Sequence, residues 1–112
     1  MEITVDRRDS VTIVSVSGSV DGLTSAELSA AFRRELQSGQ SRLVGDFTGV
    51  DYTSSAGLRA LLETVKEARR QGGDLRLASV RPEVLRVLEL SGFTGILKLF
   101  PDVPSAVASF AG

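Results

Sequence analysis

Alternating polar and apolar side chains at the start of the chain predict a β-strand. In residues 2–6, Ile3 and Val5 alternate with polar neighbours, as in a half-exposed strand. The run VTIVSVSG that starts at Val11 has apolar residues on both faces of the predicted strand, which is typical of a strand covered on both sides. The polar segment RRDS between them indicates a turn. We therefore expect these strands to form a hairpin at one edge of a sheet.

From residue 11 onward, segments with strand patterns alternate with segments whose apolar residues have helical spacing. Further strands are predicted at RLVGDF, DLRLAS and ILKLF. Four helices are predicted. The first follows SVDG, and the second follows TGVDYTSSAG and ends at Gly72 and Gly73. The third begins near Pro82, and the fourth lies at the C-terminus. The LELSGF segment, with Leu88, Leu90 and Phe93, is expected to close the core.

The element order ββαβαβαβα predicts a single α/β domain over residues 1–112. Because parallel strands are joined by right-handed helical crossovers, the five-stranded sheet should be mainly parallel. The first strand should be antiparallel, and about four helices should pack on the sheet.

The predicted first helix has a complete start signal. Thr24 and Glu27 have the spacing of a capping box, and Leu23 can pack on Leu28 as a hydrophobic staple. The preceding SVDG segment is predicted to be a loop, in which the Asp21–Gly22 pair is typical of a turn.

Three hydroxyl residues, Thr53, Ser54 and Ser55, stand directly before the second helix, and Gly57 lies in its first turn. One hydroxyl is enough to cap a helix, with a contribution of ~1 kcal/mol, so the others stay available for a partner. Glycine inside a helix lowers helix stability by up to ~1 kcal/mol relative to alanine. Because Gly57 carries this cost, we expect another part of the backbone to approach closely at this position. Since loops at the carboxyl ends of parallel strands carry ligands and partners, SVDG and TGVDYTSSAG are predicted to form the functional surface.

Composition narrows the classes of function. The 13 Lys and Arg residues, against 14 Asp and Glu, are spread along the chain and leave a net charge of -1, so direct nucleic-acid binding is not indicated. Without Cys or His, the chain has no disulfide, Ser-His-Asp triad or His-built metal site. No apolar run approaches the ~20 residues that span a bilayer, and no signal peptide is evident. A cytoplasmic protein without membrane insertion is expected.

Metal and cofactor binding have only weak candidates. Asp46 and Asp51 lack a third convergent carboxylate, so both are interpreted as turn or loop-capping groups. The glycines of SGSVDG do not have a nucleotide-binding spacing. We therefore predict no metal and no cofactor.

Three stretches resemble the STAS domain, in particular the free-standing bacterial anti-sigma factor antagonists. They are GSVDGLTSAEL, DFTGVDYTSSAGLRALLE and QGGDLRLASVRPEVLRVLELSGFTGILKLF, which cover nearly the whole chain in order. The resemblance implies a partner switch. The unphosphorylated protein binds an anti-sigma factor that is also a serine kinase and frees the sigma factor, phosphorylation releases it, and a serine phosphatase resets it. ATP would be bound by the kinase, and the protein would be a monomer or weak dimer.

The resemblance also implies which residues act. The family's phosphoacceptor lies two residues before the motif glycine, at Ser55. The family commonly has Asp at the preceding position, where this chain has Ser54, an alternative acceptor; the following residue, often Ser or Thr, is Ala56. Asp21 matches a family position that borders the acceptor and the partner interface. The predicted partner surface comprises Asp21, Thr24, Thr53, Ser54, Ser55, Ala56, Gly57 and Arg59.

Two other classes of function stay open at this stage. A constitutive scaffold subunit of a transport-associated or stress-signalling complex could use the same loops without being phosphorylated. In an enzyme, Ser55 would need a neighbouring base, and nothing in the sequence places Lys66 or Lys98, the only two lysines, beside it. We therefore predict a non-enzymatic regulatory protein.

Overall fold

A computed structural model describes residues 1–111 as one five-stranded sheet with four α-helices. Gly112, the last residue of the predicted domain, lies outside the described residues. The elements are β1 (Glu2–Arg8), β2 (Val11–Val20), α1 (Thr24–Gln37), β3 (Arg42–Thr53), α2 (Ser55–Arg70), β4 (Asp74–Ala78), α3 (Pro82–Leu90), β5 (Lys98–Phe100) and α4 (Val103–Ala108). A short 3-10 turn, Phe93–Gly95, precedes β5.

The strands lie in the sheet in the order of the sequence. β1 is antiparallel to β2, and β2 through β5 pair in parallel, which confirms the predicted fold class. Since each parallel strand lies beside the previous one, right-handed crossovers bring α1, α2 and α3 to the same face. Within residues 1–111, the helix that covers the other face is α4, which follows the last strand.

Two apolar clusters pack against the two faces of the sheet. On one face, Phe32 of α1, Leu61 of α2 and Leu88 of α3 share a cluster with Val14 of β2. On the other face, α4 packs its Ala106 and Val107 against Val11, Ile13, Val44 and Ala78. The expectation that β2 is covered on both sides is therefore confirmed, over the half of the strand that α4 reaches.

Strand β3 is longer than the sequence predicted. We expected it to end at Phe47 and a loop to follow, but its pairing with β2 continues to Thr53. The register shifts between Ser15 and Ser17 and again after Gly18. Gly49 allows the close approach there, since a Cβ on it would lie 3.2 Å from the carbonyl oxygen of Val16. These irregularities hid the strand pattern, and the whole of TGVDYT belongs to β3.

Strand β2 is also longer than predicted, since Ser19 and Val20, which we placed in a loop, continue its pairing. The loop before α1 is thereby reduced to residues 21–23. Leu88 and Phe93 are buried as expected, but Leu90 is 77% exposed, so its predicted place in the core is wrong. Val5 of the edge strand is exposed as well.

Candidate functional site

The loop between β2 and α1 is held together by Asp21. One carboxylate oxygen, Oδ1, accepts the backbone N–H groups of Leu23 and Thr24, each at 2.9 Å. The Thr24 hydroxyl accepts from the amide of Asp21 at 2.8 Å and donates to the carbonyl of Ser19 at 2.6 Å. The amides of Thr24 and Leu23 hold the pKa of the Asp21 carboxyl below its ordinary value, because they stabilise the charged form.

This arrangement differs from the predicted capping box. Leu23 takes the N-cap position of α1 without a side-chain hydrogen bond, and Thr24 is the first helical residue. The amide of Thr24 donates to the carboxylate of Asp21, and the Thr24 hydroxyl donates to the carbonyl of Ser19. The hydroxyl therefore stabilises the loop and does not cap the helix. The predicted staple is also wrong, since Leu23 is 86% exposed while Leu28 is fully buried.

Ser54 caps helix α2. Its backbone is extended, and its Oγ accepts the N–H of Gly57 at 3.2 Å. The amide of Ser54 donates to the carbonyl of Val20 at 2.8 Å, which ties the start of α2 to the end of β2. The loops that follow β2 and β3 are therefore fixed side by side, as expected for neighbouring parallel strands.

Gly57 is required by the close packing of α2 on β2. A Cβ at this position would lie 2.8 Å from Cγ1 of Val20 and would collide with the hydroxyl of Thr53. Thr53 itself is buried beneath the helix. Thr53 and Gly57, which we expected in the partner surface, are thus buried structural residues of the helix start.

Ser55 is the exposed hydroxyl of the cluster. It is the first residue of α2, and its side chain makes no hydrogen bond within residues 1–111, whereas Thr53 and Ser54 each make one. The amides of Ser55 and Ala56 find no acceptor in the described chain. Such amides and the helix dipole favour negative charge at this position.

Other predicted site residues lie on the same end of the sheet. Arg59, one turn after Ser55, is exposed, and Ala56 is half-buried. Two exposed apolar side chains at this end, Leu23 and Tyr52, were not predicted to be part of the partner surface. Tyr52 was assigned to a loop, and Leu23 was assigned to a staple that does not form. The missed signal is their position, since Leu23 directly follows SVDG and Tyr52 lies within TGVDYTSSAG.

The two carboxylates considered for metal binding bind local hydroxyl groups. Asp46 accepts the hydroxyl of Thr48 at 2.6 Å and its amide at 3.1 Å, but both residues lie within β3, so its predicted place in a turn or loop is wrong. Asp51 lies within β3 and accepts the hydroxyl of Ser19 at 2.9 Å. Residues 1–111 contain no group of three or more potential ligand side chains that could hold a metal ion.

The surroundings of Ser55 do not resemble an enclosed catalytic site. The groove of about 550 Å³ between α1 and α2 is lined by residues that include Arg33, Glu63 and Thr64, but not Ser55. Lys66 lies on α2 eleven residues after Ser55, which is ~16 Å along a helix axis. A base for a serine nucleophile is therefore not supplied by Lys66.

The sequence matches the STAS domain family over residues 2–106. The chain belongs to the STAS domain family, and its fold and element order agree with that assignment. It is 34% identical to BtrV of Bordetella bronchiseptica, assigned as an anti-sigma factor antagonist, over 110 residues that cover 98% of this chain and 95% of BtrV.

Solved structures give the same result for the fold. An anti-sigma factor antagonist from Mycobacterium paratuberculosis is 26% identical, with a TM-score of 0.90 and coverage of 99% of this chain and 94% of that one. The Bacillus antagonist SpoIIAA is 16% identical in its unphosphorylated form, with a TM-score of 0.83 over 96% of this chain and 95% of that one. Its phosphorylated form superposes with a TM-score of 0.75 at 15% identity, over 96% and 98% of the two chains. BtrV and the Mycobacterium protein are named as regulatory proteins and not as enzymes, which agrees with the prediction of a non-enzymatic regulator.

No helix within residues 1–111 is long and apolar enough to cross a membrane.

Proposed function

We propose that this chain is an anti-sigma factor antagonist that is switched by phosphorylation of Ser55. In its unmodified form it binds an anti-sigma factor that is also a serine kinase, and the sigma factor is freed. The kinase transfers the γ-phosphoryl group of its ATP to Ser55 Oγ, the hydroxyl proton is lost, and ADP is the other product. A serine phosphatase hydrolyses the phosphate and restores binding.

One observation carries this proposal: among Thr53, Ser54 and Ser55 at the start of α2, only Ser55 has a hydroxyl that is both exposed and without a hydrogen-bond partner in the described chain. A kinase can reach it without disturbing a cap, whereas the Ser54 hydroxyl oxygen already accepts the Gly57 amide. Relatives named anti-sigma factor antagonists, one of them solved in a phosphorylated form, support the class of partner and the kind of modification.

The partner surface that we propose includes Asp21, Ser55, Ala56 and Arg59, with Leu23 and Tyr52 as added apolar contacts. Phosphate would add about -1.5 to -2 charge at the centre of this surface. A charge placed in a docked interface weakens binding by repulsion and by the cost of desolvation. The partner would therefore be released without any change of fold in this chain.

The proposal is tested by mapping phosphate on the tryptic peptide Leu43–Arg59, isolated from the native host during growth and during stress. Fragmentation of this peptide separates Thr53, Ser54 and Ser55. We expect phosphate on Ser55, in a proportion that changes with the condition. Phosphate on Ser54 would support a phosphorylation-switched antagonist but would contradict the assignment of Ser55 as the phosphoacceptor. An unmodified peptide under every condition would favour the constitutive scaffold subunit.

A further inference from the structure

The guanidinium group of Arg59 is unengaged beside the proposed phosphoacceptor. Arg59 is exposed on α2, four residues after Ser55, and forms no ion pair or hydrogen bond within the described residues 1–111. Residues at this spacing on a helix are neighbours on one face, with Cβ atoms ~6 Å apart. The side chain of Arg59 can therefore reach the space above the Ser55 hydroxyl.

Three other arginines, two of them on this helix, are already engaged. Arg69 binds the carboxylate of Asp74 at 2.9 Å, and Arg70 forms a pair with Glu67 on the same helix. Arg81 donates to the carbonyl oxygen of Thr48 at 2.8 Å. The cation next to Ser55 is thus left without an internal partner in the described chain, while arginines farther along α2 are paired.

Negative groups near Arg59 are few. Asp21 and Asp51 lie at the same end of the sheet, but their carboxylates accept local hydrogen bonds from Thr24 and Ser19. Glu63 lies one turn after Arg59 on α2 and does not approach within ion-pair distance in the structure. A phosphate on Ser55 would be the strongest acceptor within reach, since guanidinium can bind phosphate through two parallel hydrogen bonds.

We propose that Arg59 is the intramolecular counter-ion of phosphorylated Ser55, so that phosphorylation also withdraws a basic contact from the partner. This inference rests on the proposed function. In the unmodified protein, Arg59 is free to bind an acidic group on the anti-sigma factor. In the phosphorylated protein the same guanidinium binds the phosphate, so the partner loses a favourable contact while it meets a new charge.

The distance along the chain to Arg59 also distinguishes the two candidate phosphoacceptors, Ser54 and Ser55. Ser54 is the cap residue, with an extended backbone outside the helix, and it lies five residues before Arg59. Its hydroxyl oxygen points to the amide of Gly57. Pairing with Arg59 therefore favours a phosphate on Ser55 over one on Ser54.

The pairing can be tested without any partner, on protein that carries phosphoserine at position 55 by genetic incorporation. Phosphorus NMR gives the second pKa of the phosphate in the otherwise wild-type chain, in Arg59→Gln and in Arg33→Gln. Arg33 is a matched control because it is an exposed arginine on the neighbouring helix α1. We expect Arg59→Gln to raise the phosphate pKa by about 0.3 unit or more, because the dianion loses its counter-ion. Arg33→Gln should leave it unchanged, and equal values in all three proteins would overturn the pairing.

The effect on the partner is measured separately, as the ratio of dissociation constants for phosphorylated and unmodified protein with the host anti-sigma factor kinase. We expect this ratio to be several-fold smaller in Arg59→Gln than with Arg59 present. An equal ratio would refute the withdrawal of the contact. If phosphate did not change affinity even with Arg59 present, the proposed function would fail, whatever the titration shows.

Discussion

Ser54 and Ser55 are adjacent and chemically identical, yet their hydroxyl groups have different surroundings. Ser54 accepts the Gly57 amide and begins α2, while Ser55 is exposed and unbonded within the described chain. The sequence predicted the cluster and its excess of hydroxyls. It could not assign the cap, because that depends on where β3 ends, and the irregular pairing with β2 moved that end to Thr53.

This division of roles predicts different effects of two alanine substitutions. Ser54→Ala should lower the free energy of unfolding by ~1 kcal/mol, the usual cost of losing a cap. Ser55→Ala should change it by less than about 0.5 kcal/mol, as for most exposed positions. Urea unfolding of both variants measures the difference. A larger loss for Ser55→Ala would show that the roles are assigned the wrong way round.

Asp21 provides a prediction about pH at the residue scale. Its carboxyl pKa is lowered in the folded protein by the amides of Thr24 and Leu23. The stabilisation from the carboxylate is therefore present above the ordinary value of about 4 and is lost as pH falls through the folded pKa. Carbon-13 NMR of the Asp21 carboxyl should give a pKa below about 4, and Asp21→Asn should flatten the acid dependence of stability there. A pKa at or above the ordinary value would contradict the loop geometry.

Single side chains were the least predictable feature. Leu23 and Leu90 are apolar residues at positions compatible with the core, but both are strongly exposed. Periodicity identifies the apolar face of a helix, but residues at its ends can point past the last contact. Leu90 is the last residue of α3, and Leu23 directly precedes α1.

At the scale of the element, the junction between β3 and α2 determines the position of Ser55, the proposed phosphoacceptor. Strand pairing continues to Thr53, and the helix begins only two residues later, at Ser55. The amide of Ser54 also binds the carbonyl of Val20. Ser55 therefore lies on a short strand-to-helix junction that is hydrogen-bonded to the end of β2. The sequence predicted a loop here because the glycine and polar residues of TGVDY conceal a strand that contains register shifts.

The fit of this junction is tested by Gly57→Ala. Alanine favours helix formation by ~1 kcal/mol, but its Cβ would meet Val20 and Thr53. Overpacking of this kind typically costs ~1–3 kcal/mol, so we expect a net loss of stability. Gly22→Ala is the control, because a Cβ there has nothing within 4 Å. If Gly57→Ala were as stable as wild type in thermal unfolding, α2 would not pack as closely as described.

At the scale of the whole molecule, the fold was predicted well. Alternation of strand and helix patterns determined the class, and right-handed crossovers account for α1, α2 and α3 on one face. The site was predicted in part: the loops do meet at the carboxyl ends of β2 and β3, but Thr53 and Gly57 are buried there. Those two residues could be assigned only from packing, which one-dimensional patterns do not record.

The fold also explains how a switch could operate without refolding. The Ser55 hydroxyl contacts no core residue through a hydrogen bond in the described chain, and the core clusters lie beneath the helices. A phosphate would therefore change the charge of a fixed surface, and the sheet and helices would keep their positions. In the proposed switch, the partner would detect the change because it would dock on that surface.

The central claim is tested most directly by calorimetry of the purified host anti-sigma factor kinase with this chain, either unmodified or carrying phosphoserine at position 55. Protein with phosphoserine at position 10 provides a control with equal charge, because Ser10 is exposed in the turn before β2, whose other end adjoins Ser55. We expect phosphate at Ser55 to weaken binding at least about 30-fold, or ~2 kcal/mol, and phosphate at Ser10 to have little effect. Equal affinity of the unmodified and Ser55-phosphorylated proteins would contradict the account.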